Sequence, residues 1–300
     1  MGVVLVVGGV NQDVTVRVDR RPTGGETTVG EGPVVGGGGK GANQAAAAAY
    51  AGAAVRLCAV VGDDAAGQEQ LGSLEAAGVD VSGVRRAADV ATGAALIVLT
   101  PDGENSIAVG AGANALLGAD DVERALAGGD VDVVLAQTEP GTAPVVAAAR
   151  EAAARGVRLV LNPAPVEGLD LDTLRAADPL VVNEHEAVDL LREHDGTFAS
   201  HAPAADLARP LADLLDCPSV VVSLGAEGAV VVSGAVGSRR ELRVSSPRVQ
   251  AVDTTGAGDV LVGTLAARLA DGADLTTAVS EACAAAAEAV TSAGARGYLG

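Results

Sequence analysis

The segment Asp253-Thr254-Thr255-Gly256-Ala257-Gly258-Asp259 runs directly into the apolar stretch Val260–Leu265. Its small residues leave backbone N–H groups unobstructed. A helix beginning near Ala257 would aim its first-turn donors and the positive end of its dipole at one spot, which makes an anion site. Asp259 falls inside that first turn, and a carboxylate repels phosphate, so anion binding alone does not call for it. It fits a group that takes a proton from a hydroxyl attacking a phosphoryl group beside it. Taken alone, the segment also reads as a tight strand-to-helix turn, and both readings stand.

A second glycine cluster lies far upstream. Gly36-Gly37-Gly38-Gly39-Lys40-Gly41-Ala42-Asn43-Gln44 leads into five alanines, a strong helix former. It reads as a mobile glycine loop feeding a helix N-terminus, with a cation and two amides at the junction. Gly41 follows the lysine where a Walker A loop needs Ser or Thr, so this is not that motif. No acidic residue closes a following strand at the spacing of a dinucleotide fingerprint, which argues against a dehydrogenase. Asn and Gln beside glycines suit hydrogen bonds to a neutral polyol.

The elements that must position these residues alternate. Val-rich runs at Val3–Val7, Arg56–Val61, Val131–Ala136, Leu159–Leu161, Leu180–Val182 and Val220–Ser223 read as buried strands. Helical stretches fall at Ala42–Ala51, Gly67–Ala77, Ala119–Leu126, Ala143–Ala154, Glu184–Glu193 and Ala204–Leu215. This rhythm predicts an α/β fold of three layers, α/β/α, around a mostly parallel sheet. Two segments break it with hairpin chemistry. Residues 14–35 alternate through Val14, Val16 and Val18, turn at Pro-Thr-Gly-Gly and return at Thr27–Val29. Residues 93–109 carry Ala94–Leu99, a Pro101-Asp102-Gly103 turn and Ser106–Val109. Gly196–Ala205 is expected to be the most mobile loop.

Composition narrows the class. Three hundred residues could make one large domain or two small ones, and can bury a sizeable core. A net charge of −19 argues against nucleic acid and anionic membranes as partners. It leaves ATP open, because local donors and a bound cation outweigh a distant field. Cys58, Cys217 and Cys283 are isolated, and no signal peptide precedes Val3–Val10, so the chain reads as reduced and cytoplasmic. Tyr50, Phe198 and Tyr298 are the only aromatic residues. Aliphatic walls would therefore have to hold a nucleotide base.

The two glycine clusters together are similar to the two signatures of the ribokinase-like carbohydrate kinase family. Further pieces follow in the family's order: Gly8–Asp13, Gly110–Asn114, Leu161–Pro165, Asn183–Glu186 and Ser223–Gly228. The resemblance runs from residue 3 to about residue 297 and is strongest to the ribokinase branch, on the Gly-Gly-Lys-Gly-Ala-Asn-Gln run, Asn-Pro-Ala-Pro and Glu139. It implies an ATP-dependent kinase acting on the primary hydroxyl (O5) of ribose. The two hairpin segments would form a small sheet that covers the sugar as a lid and pairs with a second copy in a homodimer. Fructose, deoxyribose and adenosine remain open as substrates, as does a non-catalytic sugar-binding regulator of the same fold. Such a regulator would be expected to lose Asp259 or its glycines.

The resemblance also implies roles. Asp259 would be the general base, with the N–H groups of Gly256, Ala257 and Gly258 as the anion hole. Asn11, Asp13, Gly39, Lys40, Asn43 and Glu139 would hold the sugar, with Asp259. By its own position Asp13 follows strand one, where α/β proteins place ligand groups, though Asn-Gln-Asp also makes a turn. Glu139, before Pro140, also reads as a helix-start residue. Asn183, Ser223, Gly225, Gly228 and Gly258 would meet the nucleotide, and Glu186 would reach Mg²⁺ through water. Asn183 and Glu186 also fit a capping pair, and His185 between them reads as solvent-facing. Asp253 and the carbonyls of Thr255, Ala289, Ser292 and Gly294 would bind K⁺. Leu261 stands where the family usually has Phe, and Cys283 where Asn or His is common near adenine. The sequence ends at Gly300, where relatives usually continue. That departure bears on cation affinity and C-terminal packing more than on the chemistry.

Overall fold

The computed structural model describes residues 1–102, 105–166, 168–195 and 203–300. The N-terminal half contains β1 (Val3–Val7), β2 (Asn11–Arg17), β3 (Glu31–Gly38), α1 (Lys40–Tyr50), β4 (Ala54–Cys58), β5 (Val60–Gly62) and α2 (Ala65–Ala76). There follow β6 (Val79–Asp80), β7 (Arg85–Ala87), β8 (Gly93–Leu99), β9 (Asn105–Gly110), α3 (Ala119–Ala127), β10 (Val133–Gln137) and α4 (Thr142–Arg155). The remainder comprises β11 (Arg158–Asn162), α5 (Leu171–Arg175), β12 (Leu180–Asn183), α6 (Glu184–His194), α7 (Ala208–Leu215) and β13 (Ser219–Ser223). It closes with β14 (Ala229–Ser233), β15 (Arg240–Val244), α8 (Ala257–Ala270) and α9 (Leu275–Ala289).

Among the described residues the large sheet has nine strands, ordered β15-β14-β13-β12-β11-β10-β1-β4-β6. It is parallel from β13 to β6, and only β14 and β15 run antiparallel at one edge. The strands are apolar along their whole length because each face buries alternate residues. Leu5 and Val7 enter one core with Val122, Val145, Leu190 and Leu211, while Val4 and Val6 enter another with Ala45, Leu265 and Val279. That is the three-layer α/β/α arrangement expected from the sequence. No helix among the described residues is long and apolar enough to cross a membrane.

A small separate sheet, ordered β3-β2-β8-β9, comes from the two interruptions. Each interruption is an antiparallel pair as expected, and the two join through a parallel β2–β8 pairing. Several boundaries differ from the sequence reading. Thr27–Val29 is not a strand; the return strand starts at Glu31 and continues through Gly38. Gly36, Gly37 and Gly38 are therefore ladder residues opposite Asp13, Gln12 and Asn11, rather than a mobile loop. A run without side chains can still fill a ladder when the neighbouring strand supplies the packing. Arg56–Val61 divides into β4 in the large sheet and β5, which pairs with β7. The helix expected from Ala204 begins at Ala208 behind a single 3₁₀ turn. Residues 196–202 of the expected mobile loop, Gly103 of the second turn and Phe198 lie outside the described residues.

One contact brings the two glycine motifs together. Gly263 of α8 lies directly against the Gln44 carbonyl of α1, and a Cβ there would overlap it. The two helices thus approach closely one turn beyond Asp259, which sets Asn43 and Gln44 beside that carboxylate.

Candidate active site

Helix α8 begins at Ala257, as the spacing predicts, with Gly256 as N-cap in the left-handed region (φ 77°). Asp259 is buried in the first turn. Its Oδ2 accepts from Asn43 Nδ2 at 3.0 Å and its Oδ1 from Gln44 Nε2 at 2.9 Å. The Ala257 N–H is engaged with the Thr254 carbonyl at 3.3 Å, which corrects the expectation of three free donors. The turn that lets Gly256 take positive φ folds Ala257 back on Thr254. The Gly256 and Gly258 N–H groups have no acceptor among the described residues and remain available to an anion.

The residues around this helix start line a cleft of about 150 Å³. Lys40, Asn183, Glu186, Ser223, Gly256, Gly258 and Asp259 share it with Asn162 and the aliphatic side chains of Val181, Val182, Leu261 and Val262. Asn183 and Glu186 cap α6 reciprocally: the Asn183 side chain accepts from the Glu186 N–H, and Glu186 Oε2 accepts from the Asn183 N–H, both at 2.9 Å. Burial raises the Glu186 carboxyl above its ordinary value, against the pull of the Asn183 N–H and Lys40. His185 is exposed, as its position suggests. Gly225 and Gly228 close a tight turn after β13, where Leu224 N donates to the Gly228 carbonyl at 2.8 Å; they are not among the cleft residues.

A second polar group adjoins the cleft. Asp13 is part of β2 in the small sheet, not a residue at the carboxyl end of β1. The chain turns into the second sheet at Asn11, so the first large-sheet strand ends well before it. Asn11 Nδ2 donates to Glu139 Oε1 at 3.0 Å, and the Lys40 backbone N–H donates to Glu139 Oε2 at 2.8 Å. Asn114 Nδ2 fixes Asn11 by donating to its Oδ1 at 2.8 Å. Gly39 is the N-cap of α1 (φ 88°) and carries the chain from β3 into Lys40. Burial pushes the Glu139 carboxyl up to about 7, partly offset by the Lys40 N–H and reinforced by Asp259 and Asp13. Burial pushes Asp13 up to about 6, with Arg296 opposing and Asp259 adding to the rise. Desolvation and the repulsion of neighbouring carboxylates thus act together on Asp13 and Glu139.

The expected cation oxygens lie on the loop before α8 and on the C-terminal end of α9 with the loop after it, and Asp253 joins the two. Its Oδ1 accepts from the Thr255 N–H at 2.9 Å and its Oδ2 from the Gly294 N–H at 2.8 Å. Burial works to raise this carboxyl, but the Thr255 and Gly294 donors together outweigh it and hold it below its ordinary value. The Ala289 and Gly294 carbonyls accept from the Ser292 and Gly297 N–H groups at 3.1 Å each, which leaves each a second lone pair.

Three residues to which the sequence reading gave no role, Gln137, Asn162 and Arg296, belong to the same network, and Gln44, expected to suit a polyol, is fully buried with its amide engaged by protein groups instead. Gln137 Nε2 donates to Gln44 Oε1 at 2.6 Å, and Gln44 Nε2 also reaches Asn162 Oδ1 at 3.0 Å. Asn162 Nδ2 is anchored on the Val181 carbonyl at 3.0 Å. Arg296 Nε donates to Asn43 Oδ1 at 2.9 Å. Gln137 and Asn162 end buried apolar strands, where an amide is costly without partners. That anomaly was the available signal. Arg296 offered none, since its place depends on how the chain returns after α9.

Residues 1–299 match the model of the pfkB family carbohydrate kinase. The chain is 36% identical over 303 residues to the ribokinase of Bacillus subtilis, covering 99% of this chain and 95% of that one. It is 32% identical over 293 residues to the deoxyribokinase of Salmonella typhi, covering 97% and 93%. The structure of Arabidopsis thaliana ribokinase complexed with ribose and ATP superimposes with a TM-score of 0.82 at 29% identity, covering 98% of this chain and 94% of that one.

Proposed function

Because the chain belongs to the pfkB family of carbohydrate kinases, which makes it an ATP-dependent sugar kinase, we propose that it phosphorylates the O5 primary hydroxyl of D-ribose. The observation that carries this reading is the carboxylate of Asp259, held by Asn43 and Gln44 beside the N–H groups of Gly256 and Gly258, which have no acceptor among the described residues. Asp259 takes the proton of the attacking hydroxyl while those donors receive charge on the transferring phosphoryl. Ala257 contributes mainly by holding the turn. Asn11, Asp13, Gly39, Lys40, Asn43 and Glu139 bind the sugar hydroxyls. Asn183, Ser223, Gly225, Gly228 and Gly258 receive the nucleotide, with Val181, Val182 and Val262 supplying an aliphatic wall.

The residues fit the two ions this chemistry calls on. Glu186 is a partly buried carboxylate in the cleft with Oε1 free of the capping bond, which suits the water shell of Mg²⁺ beside Asn183. When bound, that ion would supply positive charge against the negative charge of the ATP phosphates. Asp253 with the oxygens of Thr255, Ala289, Ser292 and Gly294 offers an all-oxygen set of one formal charge, which suits K⁺. Residues 1–300 act as a single domain in this reading, and the β3-β2-β8-β9 sheet is the lid over the sugar. Its exposed apolar side chains Val34, Leu96, Ile107 and Val109 suit pairing with a second copy in a homodimer.

ATP consumption with Mg²⁺, with and without K⁺, against ribose, deoxyribose, fructose and adenosine tests the reading. Saturable turnover far greater with ribose is expected, and it falls when K⁺ is omitted. The Salmonella typhi relative makes deoxyribose the second reading. Preference for deoxyribose would keep the mechanism and move the substrate, whereas no turnover with any sugar that binds would make the protein a regulator.

A substitution tests the sugar wall separately. A Cβ on Gly38 would overlap the Asp13 carboxylate. Gly38→Ala is expected to raise the sugar KM by about 10–100-fold, the size of losing a hydrogen bond to a charged group. The melting temperature should hardly change, because alanine is no worse than glycine in a strand. An unchanged KM would remove Asp13 from the sugar site.

A further inference from the structure

Asp259 takes both of its side-chain hydrogen bonds from α1 amides rather than from its own helix. An amide offers donors on one side and an acceptor on the other, so either could turn its oxygen toward the carboxylate unless something fixes it. Gln44 is fixed by Gln137 and Asn162. Asn43 is fixed from another direction. Arg296 Nε donates to Asn43 Oδ1 at 2.9 Å, and Arg296 Nη2 donates to the Gly38 carbonyl at 3.1 Å. A guanidinium has donors only, so Asn43 must give it the oxygen and keep Nδ2 for Asp259.

Arg296 stands on a short strap whose successive residues touch successive parts of the site. Gly294 donates to Asp253, Ala295 packs against Gly256, and Arg296 reaches Asn43. We propose that Arg296 is a positioning residue for phosphoryl transfer: it fixes the Asn43 amide, and through it the Asp259 carboxylate, and ties both to the Asp253–Gly294 turn. The proposal rests on Asp259 being the base. Arg296 is not the only titratable group near that carboxylate, since Asp13, Lys40, Glu139, Glu186 and the neutral phenol of Tyr298 face the same region from β2, α1, the loop after β10, α6 and the C-terminal turn. A test must therefore separate orientation from field.

A double-mutant cycle does so. Arg296→Met in the otherwise wild-type enzyme is expected to lower kcat/KM for the sugar about 10–100-fold, the span for contacting residues. In an Asn43→Ala background the same change should cost less than about threefold, because the amide it orients is gone. Arg296→Lys, which keeps the charge and one donor, should recover part of the loss. If Arg296→Met does not fold, as judged by its melting curve, the cycle is run with Arg296→Lys. Equal losses in both backgrounds, or no loss in either, would overturn the proposal. A wild-type enzyme whose activity survives Asp259→Asn would instead defeat the reading beneath it, so the two failures are distinguishable.

Discussion

Asp259→Asn is expected to lower kcat by about 10²–10⁴-fold, the contribution of a positioned general base, while leaving sugar affinity within a few-fold. The substituted side chain keeps the shape of the original and loses the capacity to take a proton. It also meets an environment built for an acceptor. Asn43 Nδ2 and Gln44 Nε2 both donate to the native carboxylate, so the new amide satisfies one and turns its own N–H toward the other. One unpaired buried donor costs about 1–3 kcal/mol, enough to lower the melting temperature by a few degrees. Single-turnover kinetics with calorimetric sugar titration measures the two effects separately. A variant that keeps more than about a tenth of wild-type kcat would remove Asp259 as the base.

Much of this arrangement was legible in the residues because it is local. Small residues before an apolar run predict a helix start, and α8 begins at Ala257. Asn183 and Glu186 stand three apart, and they cap α6 as that spacing requires. Valine runs long enough for one strand and bounded by turns gave the parallel sheet. What could not be read depends on partners distant in sequence. The glycines at 36–38 carry no pattern of their own, and they are a strand because Asn11–Asp13 pair with them. The antiparallel edge formed by β14 and β15 belongs to the same class, since nothing in Arg240–Val244 specifies its neighbour. The amide relay from Gln137 to Asp259 spans three elements, and its only trace in the sequence is a polar residue where an apolar strand ends.

Gly256→Ala is the second large loss expected, about 10²–10³-fold in kcat, as found when an oriented donor to a developing anion is removed. Gly256 lies at φ 77°, where a β-carbon costs about 1–2 kcal/mol. That carbon would stand 2.8 Å from the Ala295 carbonyl oxygen and 2.9 Å from its Cα. Relief requires either the N-cap or the 294–296 strap to move. Moving the cap turns the Gly256 and Gly258 donors off the phosphoryl, and moving the strap releases Arg296 from Asn43. Gly258→Ala supplies the control. A Cβ at 258 meets nothing within 4 Å, and Gly258 lies in the cleft within ordinary helical backbone. Its N–H survives the substitution, so kcat should hold to within a few-fold if donor geometry is what matters. Steady-state kinetics on both variants, with melting curves to confirm folding, decides between the two causes. Equal losses at 256 and 258 would mean that a methyl in the phosphoryl path, rather than a displaced donor, stops the reaction, and the backbone anion hole would have to be given up.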